Sequence, residues 1–302
     1  MLNRRRFLTI AAAAAAWPAA GRAGGMHVAS GVALGAKVTL RLSHPDAPAI
    51  AARAMAEIDR LEDIFSLYRP GSALGRLNAK GALADPPFEL LECLTTAGAV
   101  HRASDGAFDP TVQPLWLARA SAVGAGVPLD PAAHEAALRL VRWQEVRLDP
   151  ARLTLGKGMA LTLNGIAQGY IADRVAAFLS AEGLTDVLID TGEFVAIGGQ
   201  PDGADWPVAL AQGGRVGLRS RALATSAPLG MTFGGDGQTA HILDPKSGLP
   251  VPALWRGVSI AAPSAALADA LSTAGCLMKV KDQITALCHH FPEAELVSAI
   301  PV

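Results

Sequence analysis

Residues 162–170, Thr-Leu-Asn-Gly-Ile-Ala-Gln-Gly-Tyr, form a short apolar run that ends in a glycine-containing turn and leads directly into a predicted helix. The helix is predicted because apolar residues recur beyond the turn at near-helical spacing and Gly183 follows as a stop. A helix N-terminus after a glycine offers unbonded N–H groups and the positive end of the helix dipole, which favour a phosphate. Close packing at a strand-to-helix corner also explains Gly165 and Gly169, so the turn alone leaves both interpretations open.

The elements on either side of this turn indicate the fold class. Predicted strands outnumber helices and cluster in the second half of the chain, which favours a layered α+β architecture over a doubly wound one. Alternation over residues 32–42 predicts one half-buried strand, and apolar spacing over residues 50–65 predicts an amphipathic helix. Further helices are predicted over residues 88–103, 131–141 with Asp130 as N-cap, 263–277 and 279–290. Further strands are predicted over residues 146–148, 153–155, 186–189, 194–197, 207–210, 222–225, 240–243 and 258–261 and near Leu296.

Residues 1–25 have the composition of a twin-arginine export signal. Residues 3–8, Asn-Arg-Arg-Arg-Phe-Leu, precede an alanine-rich run to Ala16, and small residues lie near Ala23. The apolar segment stops at Trp17, short of the roughly 20 residues that a membrane-spanning helix requires, and no cysteine is placed to carry a lipid anchor. We therefore expect a soluble periplasmic protein that folds before export. A chance alanine-rich N-terminus is the alternative.

The cysteine count, the net charge and the apolar content exclude several classes of function. Cys93, Cys276 and Cys288 are odd in number and form no C-x-x-C pair, so buried inert thiols are predicted rather than a zinc site or disulfides. A formal net charge of -1 provides no basic excess, so nucleic acid is not a predicted partner. With 51% apolar residues and no linker, residues 26–302 are predicted to form one domain, or two interleaved lobes.

Three further segments carry candidate site residues. One is the polar loop after the first helix, residues 65–78, which contains Tyr68. Another is residues 106–112, where Asp109 precedes Pro110 and is held extended, so that its carboxylate can face a ligand. The third is residues 241–248, where His241 ends a predicted strand beside an Asp-Pro-x-x-Gly turn and could act as a general base. Simple turns, with His241 bonded to a backbone carbonyl, would explain the last two segments as well.

Asp269 and Thr273 are four residues apart on a predicted helix that is rich in alanine and leucine, so they share one face. A buried carboxylate is costly unless it is paired or binds a metal. A hard cation such as Mg²⁺ suits one carboxylate, one hydroxyl and a backbone carbonyl from the Gly165 turn. Alternatively, the Thr273 hydroxyl bonds back to its own helix and Asp269 lies at a wet edge.

Taken together and in this order, the five segments resemble the FAD:protein FMN transferase family, the ApbE-type flavin transferases, over nearly all of the chain after residue 25. The resemblance implies a layered α+β fold with antiparallel or mixed sheets packed against helices. It also implies an enzyme that binds FAD as substrate and Mg²⁺, transfers FMN to a threonine hydroxyl of an acceptor flavoprotein and releases AMP.

The same resemblance assigns roles to residues. His241 and Asp269 are implied as the catalytic residues, with His241 as the base. The implied Mg²⁺ ligands are Asp269, Thr273, the Gly165 carbonyl and Ser272. The implied FAD-binding residues are Tyr68, Ala107, Phe108, Asp109, Thr162, Gln168, Ser226 and Ile242.

The chain also departs from the usual motif of that family. Where the family commonly has Asp-Leu-Gly-Gly-Ile-Ala-Lys-Gly, this sequence has Thr162, Asn164 and Gln168 in place of the acid, the first glycine and the lysine. Losing an acid and a base together keeps the local charge constant. Glu193 stands where the family often has an Asp after Gly-Gly, and Ala227 stands where the family's Thr-Ser-Gly segment has glycine. These changes affect how the flavin or the adenine is held, whereas Asp269 and Thr273 are intact.

This variant turn, together with the export signal, is similar to NosX-type accessory proteins of nitrous-oxide respiration, which implies a membrane-bound flavoprotein as acceptor. Two other functions remain open at this point. One is a periplasmic FAD-binding protein or FAD pyrophosphatase without a protein acceptor, and the other is a non-catalytic solute-binding protein.

Overall fold

The computed structural model describes residues 26–302 apart from residues 212, 235 and 236. The predicted export signal, residues 1–25, lies outside the described residues. Within the described part of the chain, no helix is both long and apolar enough to cross a membrane. The assignment of residues 26–302 to one domain or two interleaved lobes stays a prediction.

A seven-stranded antiparallel sheet forms the centre of the structure. Its order is β1-β2-β5-β6-β9-β10-β11, and every neighbouring pair is antiparallel. These strands are β1 His27–Ala33, β2 Ala36–Leu42, β5 Val187–Asp190, β6 Phe194–Ile197, β9 Ala222–Ser226, β10 Trp255–Ala262 and β11 Glu295–Pro301. Two hairpins accompany the sheet, formed by β3 Ala82–Ala84 with β4 Arg152–Thr154 and by β7 Trp206–Ala209 with β8 Arg215–Leu218.

Eight helices complete the described fold: α1 Ala47–Phe65, α2 Ala73–Lys80, α3 Phe88–Ala103, α4 Gln113–Ala125, α5 Pro131–Leu138, α6 Ala167–Ala181, α7 Ala265–Gly275 and α8 Lys281–Cys288. Strand alternation divides the core between the two faces of the sheet. Val187 and Ile189 belong to the large core shared with the helices, whereas Leu188 between them packs with Trp206 of the β7–β8 hairpin. The predicted layered α+β architecture is confirmed.

Several local predictions are confirmed by the backbone. The helix predicted at residues 50–65 is α1, and the helix after the Gly165 turn is α6. Gly183 follows α6 with φ +87°, a conformation that favours glycine. The Asp130 side chain accepts a hydrogen bond from Ala133 N at 3.0 Å and caps α5, which ends earlier than predicted, at Leu138. All three cysteines are free and buried.

The single strand predicted over residues 32–42 is wrong. The chain forms a tight hairpin here, in which Ala33 pairs with Ala36 and both Leu34 (φ +47°) and Gly35 (φ +84°) adopt the left-handed region. The period-2 alternation continues through β1 and β2 without marking the turn between them, and only the Leu-Gly pair signals it.

Two predicted strands are also wrong. Residues 146–148 and 240–243 form only isolated bridges, in which Arg147 pairs with Thr154, Ala240 with Thr232 and Leu243 with Pro250. Each of these bridges is a single pair, and the neighbouring residues do not extend it into a ladder. The chain also contains helices α2 and α4 and strands β3 and β8, which the pattern did not predict. In α4 only Gln113 and Leu115 are buried, so its periodicity is weak.

Candidate active site

A cavity of about 310 Å³ lies between the sheet, the start of α6, α7 and the loops around residues 106–112, 227–231 and 241–245. Most of the predicted site residues line this one cavity: Ala107, Phe108, Asp109, Thr162, Gly165, Gln168, Ser226, His241, Ile242, Asp269 and Thr273. The structure therefore brings together residues from five segments that are far apart in the sequence.

Two predicted site residues lie off the cavity wall. Tyr68, after α1, is 65% exposed and is absent from the lining. Ser272 is fully buried behind the wall, on the side of α7 that faces β9. Their predicted contacts with FAD and Mg²⁺ stay predictions.

Gly165 lies where three predicted site segments meet. A Cβ atom on this residue would lie 2.9 Å from Thr273 Oγ1 and 3.3 Å from Phe108 Cε2, so only glycine fits without movement of its neighbours. The turn is tied to the Asp109 segment, because Thr162 N donates to the Pro110 carbonyl at 2.8 Å. Close packing therefore explains Gly165, and its packing partners are themselves predicted site residues. The phosphate site at this turn stays a prediction.

Asp269 carries the clearest chemical signal in the cavity. It is only 4% exposed, its carboxylate lies near the backbone N–H of Gly169, and its Oδ2 atom has no partner among the described residues. Burial raises its pKa to about 8. A buried polar atom without a partner costs about 1–3 kcal/mol, and more when the group is charged, unless a ligand satisfies it.

These donors fit the predicted Mg²⁺. The Oδ2 atom of Asp269, the Thr273 hydroxyl and the Gly165 carbonyl are hard oxygen ligands of the kind that Mg²⁺ prefers. The described residues contain no group of three His, Cys, Asp or Glu side chains that could hold a metal, so this candidate site depends on a single carboxylate. The alternative, in which the Asp269 side chain lies at a solvent-exposed edge, is wrong because this residue is buried.

A chain of hydroxyl groups orients Thr273. Ser272 Oγ donates to the Asp269 carbonyl at 3.0 Å, so the proton in the 2.7 Å contact between Ser226 Oγ and Ser272 Oγ comes from Ser226. Ser226 Oγ must then accept from Thr273 Oγ1 at 3.1 Å, because a hydroxyl has only one proton to donate. The lone pairs of Thr273 Oγ1 remain available for a cation.

His241 is held in a defined tautomer. Its Nδ1 atom lies 2.8 Å from the Met231 carbonyl and 3.2 Å from the Pro228 carbonyl. Carbonyls only accept hydrogen bonds, so Nδ1 carries the ring proton and Nε2 is free to take one. Burial lowers the pKa of His241, which keeps the ring neutral near pH 7. The backbone bond expected from the simpler interpretation is present, and it orients the imidazole.

Asp109 shapes its own segment. One carboxylate oxygen accepts from Thr111 N at 2.8 Å and from Thr111 Oγ1 at 2.6 Å, and the other lies 3.6 Å from His101 Nδ1. Burial raises the pKa of Asp109. The Asx-turn interpretation therefore holds for this side chain, although it also lies on the cavity wall.

The wall near Gln168 contains two carboxylates, Asp190 and Glu193, of which the sequence analysis connected only Glu193 with ligand binding. Gln168 Nε2 lies 3.4 Å from the Thr191 carbonyl, and Asp190 and Glu193 flank the turn that follows β5. Glu193 Oε2 accepts from Thr225 N at 3.2 Å, and burial raises its pKa. Among the described residues of the wall none is Lys or Arg. Polar residues directly after a buried strand were the signal that could have identified this corner.

The sequence matches a known family over most of its length. The model of the ApbE family matches residues 34–297. An FAD:protein FMN transferase of Klebsiella pneumoniae (strain 342) is 36% identical over 236 residues, which covers 74% of this chain and 73% of that protein. An FAD:protein FMN transferase of Treponema pallidum (strain Nichols) is 30% identical over 278 residues, covering 81% and 75%.

Solved structures agree with this match. The flavinyl transferase ApbE of Pseudomonas stutzeri, in its apo form, superposes with a TM-score of 0.76 at 28% identity, covering 87% of this chain and 88% of that one. The ApbE protein of Thermotoga maritima gives a TM-score of 0.76 at 27% identity, covering 86% and 90%.

Proposed function

The chain belongs to the ApbE family and is a transferase enzyme, and from that premise we propose that it transfers the FMN moiety of FAD to a threonine hydroxyl of an acceptor protein, with Mg²⁺ bound and AMP released. The observation that carries the proposal is the single cavity in which His241, with Nε2 unprotonated, shares a wall with the unpartnered Oδ2 atom of Asp269.

The protein supplies a base for the acceptor. His241 Nε2 takes the proton of the incoming threonine hydroxyl, and the hydroxyl oxygen forms a bond to the phosphorus on the flavin side of the pyrophosphate. The bond between that phosphorus and the bridging oxygen breaks, and AMP leaves with the bridging oxygen. The product is a phosphodiester between threonine and riboflavin, so the overall reaction needs no oxidant or reductant.

The remaining wall residues bind and orient. Mg²⁺ held by Asp269, Thr273 and the Gly165 carbonyl would neutralise the negative charge of the pyrophosphate and of its transition state. Phe108, Trp116 and Phe194 offer apolar, aromatic surface of the kind that holds planar rings. Because no Lys or Arg is among the described residues of the wall, the bound cation is the expected source of positive charge for the pyrophosphate.

Two features of the sequence support a proposed compartment and a proposed class of acceptor. The twin-arginine pattern of residues 3–8 supports a periplasmic location, where the acceptor would be a periplasmic or membrane-attached flavoprotein. The variant turn with Thr162, Asn164 and Gln168 supports a role in maturing a flavoprotein of nitrous-oxide respiration.

The direct test uses the purified chain with FAD, Mg²⁺ and a flavoprotein domain that bears a candidate acceptor threonine. Flavin fluorescence of the denatured acceptor should appear with the wild-type chain. It should be lost without Mg²⁺, with the His241→Ala variant and when the acceptor threonine is replaced by valine. AMP formation without a fluorescent acceptor would instead support an FAD pyrophosphatase, and FAD binding without any AMP would support a carrier.

A further inference from the structure

Asp173 of α6 caps the N-terminus of α7. Its carboxylate accepts a hydrogen bond from Ala265 N at 2.7 Å and from Ala266 N at 2.9 Å, in the first turn of α7. The Asp269 carboxylate of α7 lies near the backbone N–H of Gly169, in the first turn of α6. Asp173 thus satisfies two N–H groups that a helix leaves unbonded at its start.

The two helices also touch through their backbones. A Cβ atom on Gly169 would lie 2.2 Å from the Ala265 carbonyl oxygen, so any larger residue would push the helices apart. This backbone contact and the Asp173 cap leave α7 little freedom to slide or rotate against α6.

The junction fixes the relative position of the Mg²⁺ donors. Gly165 precedes α6, whereas Asp269 and Thr273 lie one and two turns beyond the Asp173 bonds on α7. A small rotation of α7 would move the Asp269 and Thr273 oxygens relative to the Gly165 carbonyl. Asp173 itself does not line the cavity, so the proposed reaction gives its carboxylate no chemical role.

We propose that Asp173 is a positioning residue of the Mg²⁺ site, which sets the separation between the Gly165 turn and the ligands on α7 by anchoring the start of that helix. This inference rests on the proposed function. It differs from ordinary helix capping, because the anchor comes from the helix that follows Gly165 and not from α7 or the residue before it.

The chain provides a matched control. Ser264 Oγ accepts from Leu267 N at 3.3 Å and caps the same helix, α7, from the residue directly before it. Ser264→Ala removes a cap without touching the link to α6. Asp173→Asn keeps the shape of the side chain but removes its charge and replaces one acceptor with an amide that faces a backbone N–H.

The test is calorimetric titration of Mg²⁺ into the purified full chain freed of metal, with thermal unfolding in EDTA measured in parallel. We expect both variants to unfold at lower temperature. Asp173→Asn should bind Mg²⁺ about tenfold more weakly, because changes to residues that orient metal ligands commonly lower metal affinity by that factor. The Mg²⁺ affinity of Ser264→Ala should stay close to that of the wild type. In turnover assays, Asp173→Asn should need a higher Mg²⁺ concentration for half-maximal activity. Excess Mg²⁺ should therefore restore its kcat to the wild-type value.

Unchanged Mg²⁺ affinity in Asp173→Asn, or equal weakening in both variants, would overturn the inference and leave the proposed function standing. A wild-type chain that takes up no Mg²⁺ would overturn the metal site and this inference together. If Asp173→Asn does not fold, Asp173→Glu replaces it, since it keeps a carboxylate but displaces it by one methylene. Weakened Mg²⁺ binding in Asp173→Glu would support the role, and wild-type affinity would overturn it.

Discussion

The hydroxyl of Ser226, at the end of β9, lies 2.7 Å from the hydroxyl of Ser272 on α7. This contact joins the central sheet to the helix that carries Asp269 and Thr273. Because Ser272 already donates to the Asp269 carbonyl, the contact also determines where the protons of Ser226 and Thr273 point. A strand residue thereby controls how a helix residue presents its oxygen to the cavity.

Replacing Ser226 with alanine should weaken Mg²⁺ binding by roughly threefold to tenfold, because the Thr273 hydroxyl loses its acceptor and can turn its proton toward the cation. Titration of Mg²⁺ into the metal-free chain measures this change. Ser259→Ala is the matched control, since Ser259 on β10 is buried and its hydroxyl lies 2.8 Å from Thr225 Oγ1, away from α7. Equal Mg²⁺ affinity in the wild type and Ser226→Ala would refute the proton assignment.

Asp269→Ala should reduce FMN transfer far more than Gln168→Ala does. Loss of the only carboxylate of the candidate Mg²⁺ site removes charge stabilisation and should lower kcat by at least about a hundredfold. Loss of the Gln168 amide removes one contact and should mainly raise the KM for FAD. Steady-state kinetics with an acceptor domain separate the two effects, and similar losses of kcat in both variants would contradict this ranking.

The pH profile of transfer should reflect the buried state of His241. Burial lowers its pKa below the ordinary 6.5, so the fraction with a free Nε2 rises with pH and is nearly complete at neutrality. With Mg²⁺ saturating, so that Asp269 is ionised despite its raised pKa, we expect kcat/KM to be flat from about pH 7 upward and to fall on the acid side of 6.5. His241→Ala should lose this acid limb together with most of the activity. A midpoint above 6.5 would argue against His241 as the base.

Gly165→Ala should lower both Mg²⁺ affinity and transfer, because its Cβ would press on Thr273 Oγ1 and Phe108 from 2.9 and 3.3 Å. Gly71→Ala is a suitable control, since a Cβ there meets nothing within 4 Å. Mg²⁺ titration and initial rates of both variants provide the comparison. A fully active Gly165→Ala enzyme would show that the turn has more room than its contacts indicate.

Replacing Arg4 and Arg5 together with lysine should block export while keeping the charge of the segment, since the twin-arginine route depends on the guanidinium pair. Fractionation of cells that express the tagged chain measures the result. The uncleaved precursor should then accumulate in the cytoplasm. Unimpaired arrival in the periplasm would contradict the assignment of residues 1–25.

The sequence predicts those features that a local pattern encodes. Helix α6 and the pairing of Asp269 with Thr273 on one helical face follow from spacing along the chain, and so does the burial of Asp269. The caps that Asp173 makes on α7 depend on how α6 and α7 cross, which no local pattern encodes. The place of Glu193 on the cavity wall depends in the same way on the fold, because β6 must pair with β9 across the sheet.

The order of the central sheet has a consequence for how the chain folds. β1 and β2 form a local hairpin, but the next neighbour of β2 is β5, and Leu42 pairs with Val187. The sheet therefore closes only after a long loop has been ordered, a cost in chain entropy that precedes the gain from pairing. We expect folding to be slow and to begin late in synthesis, with the free edge of β2 exposed in the meantime to chaperones or to other chains.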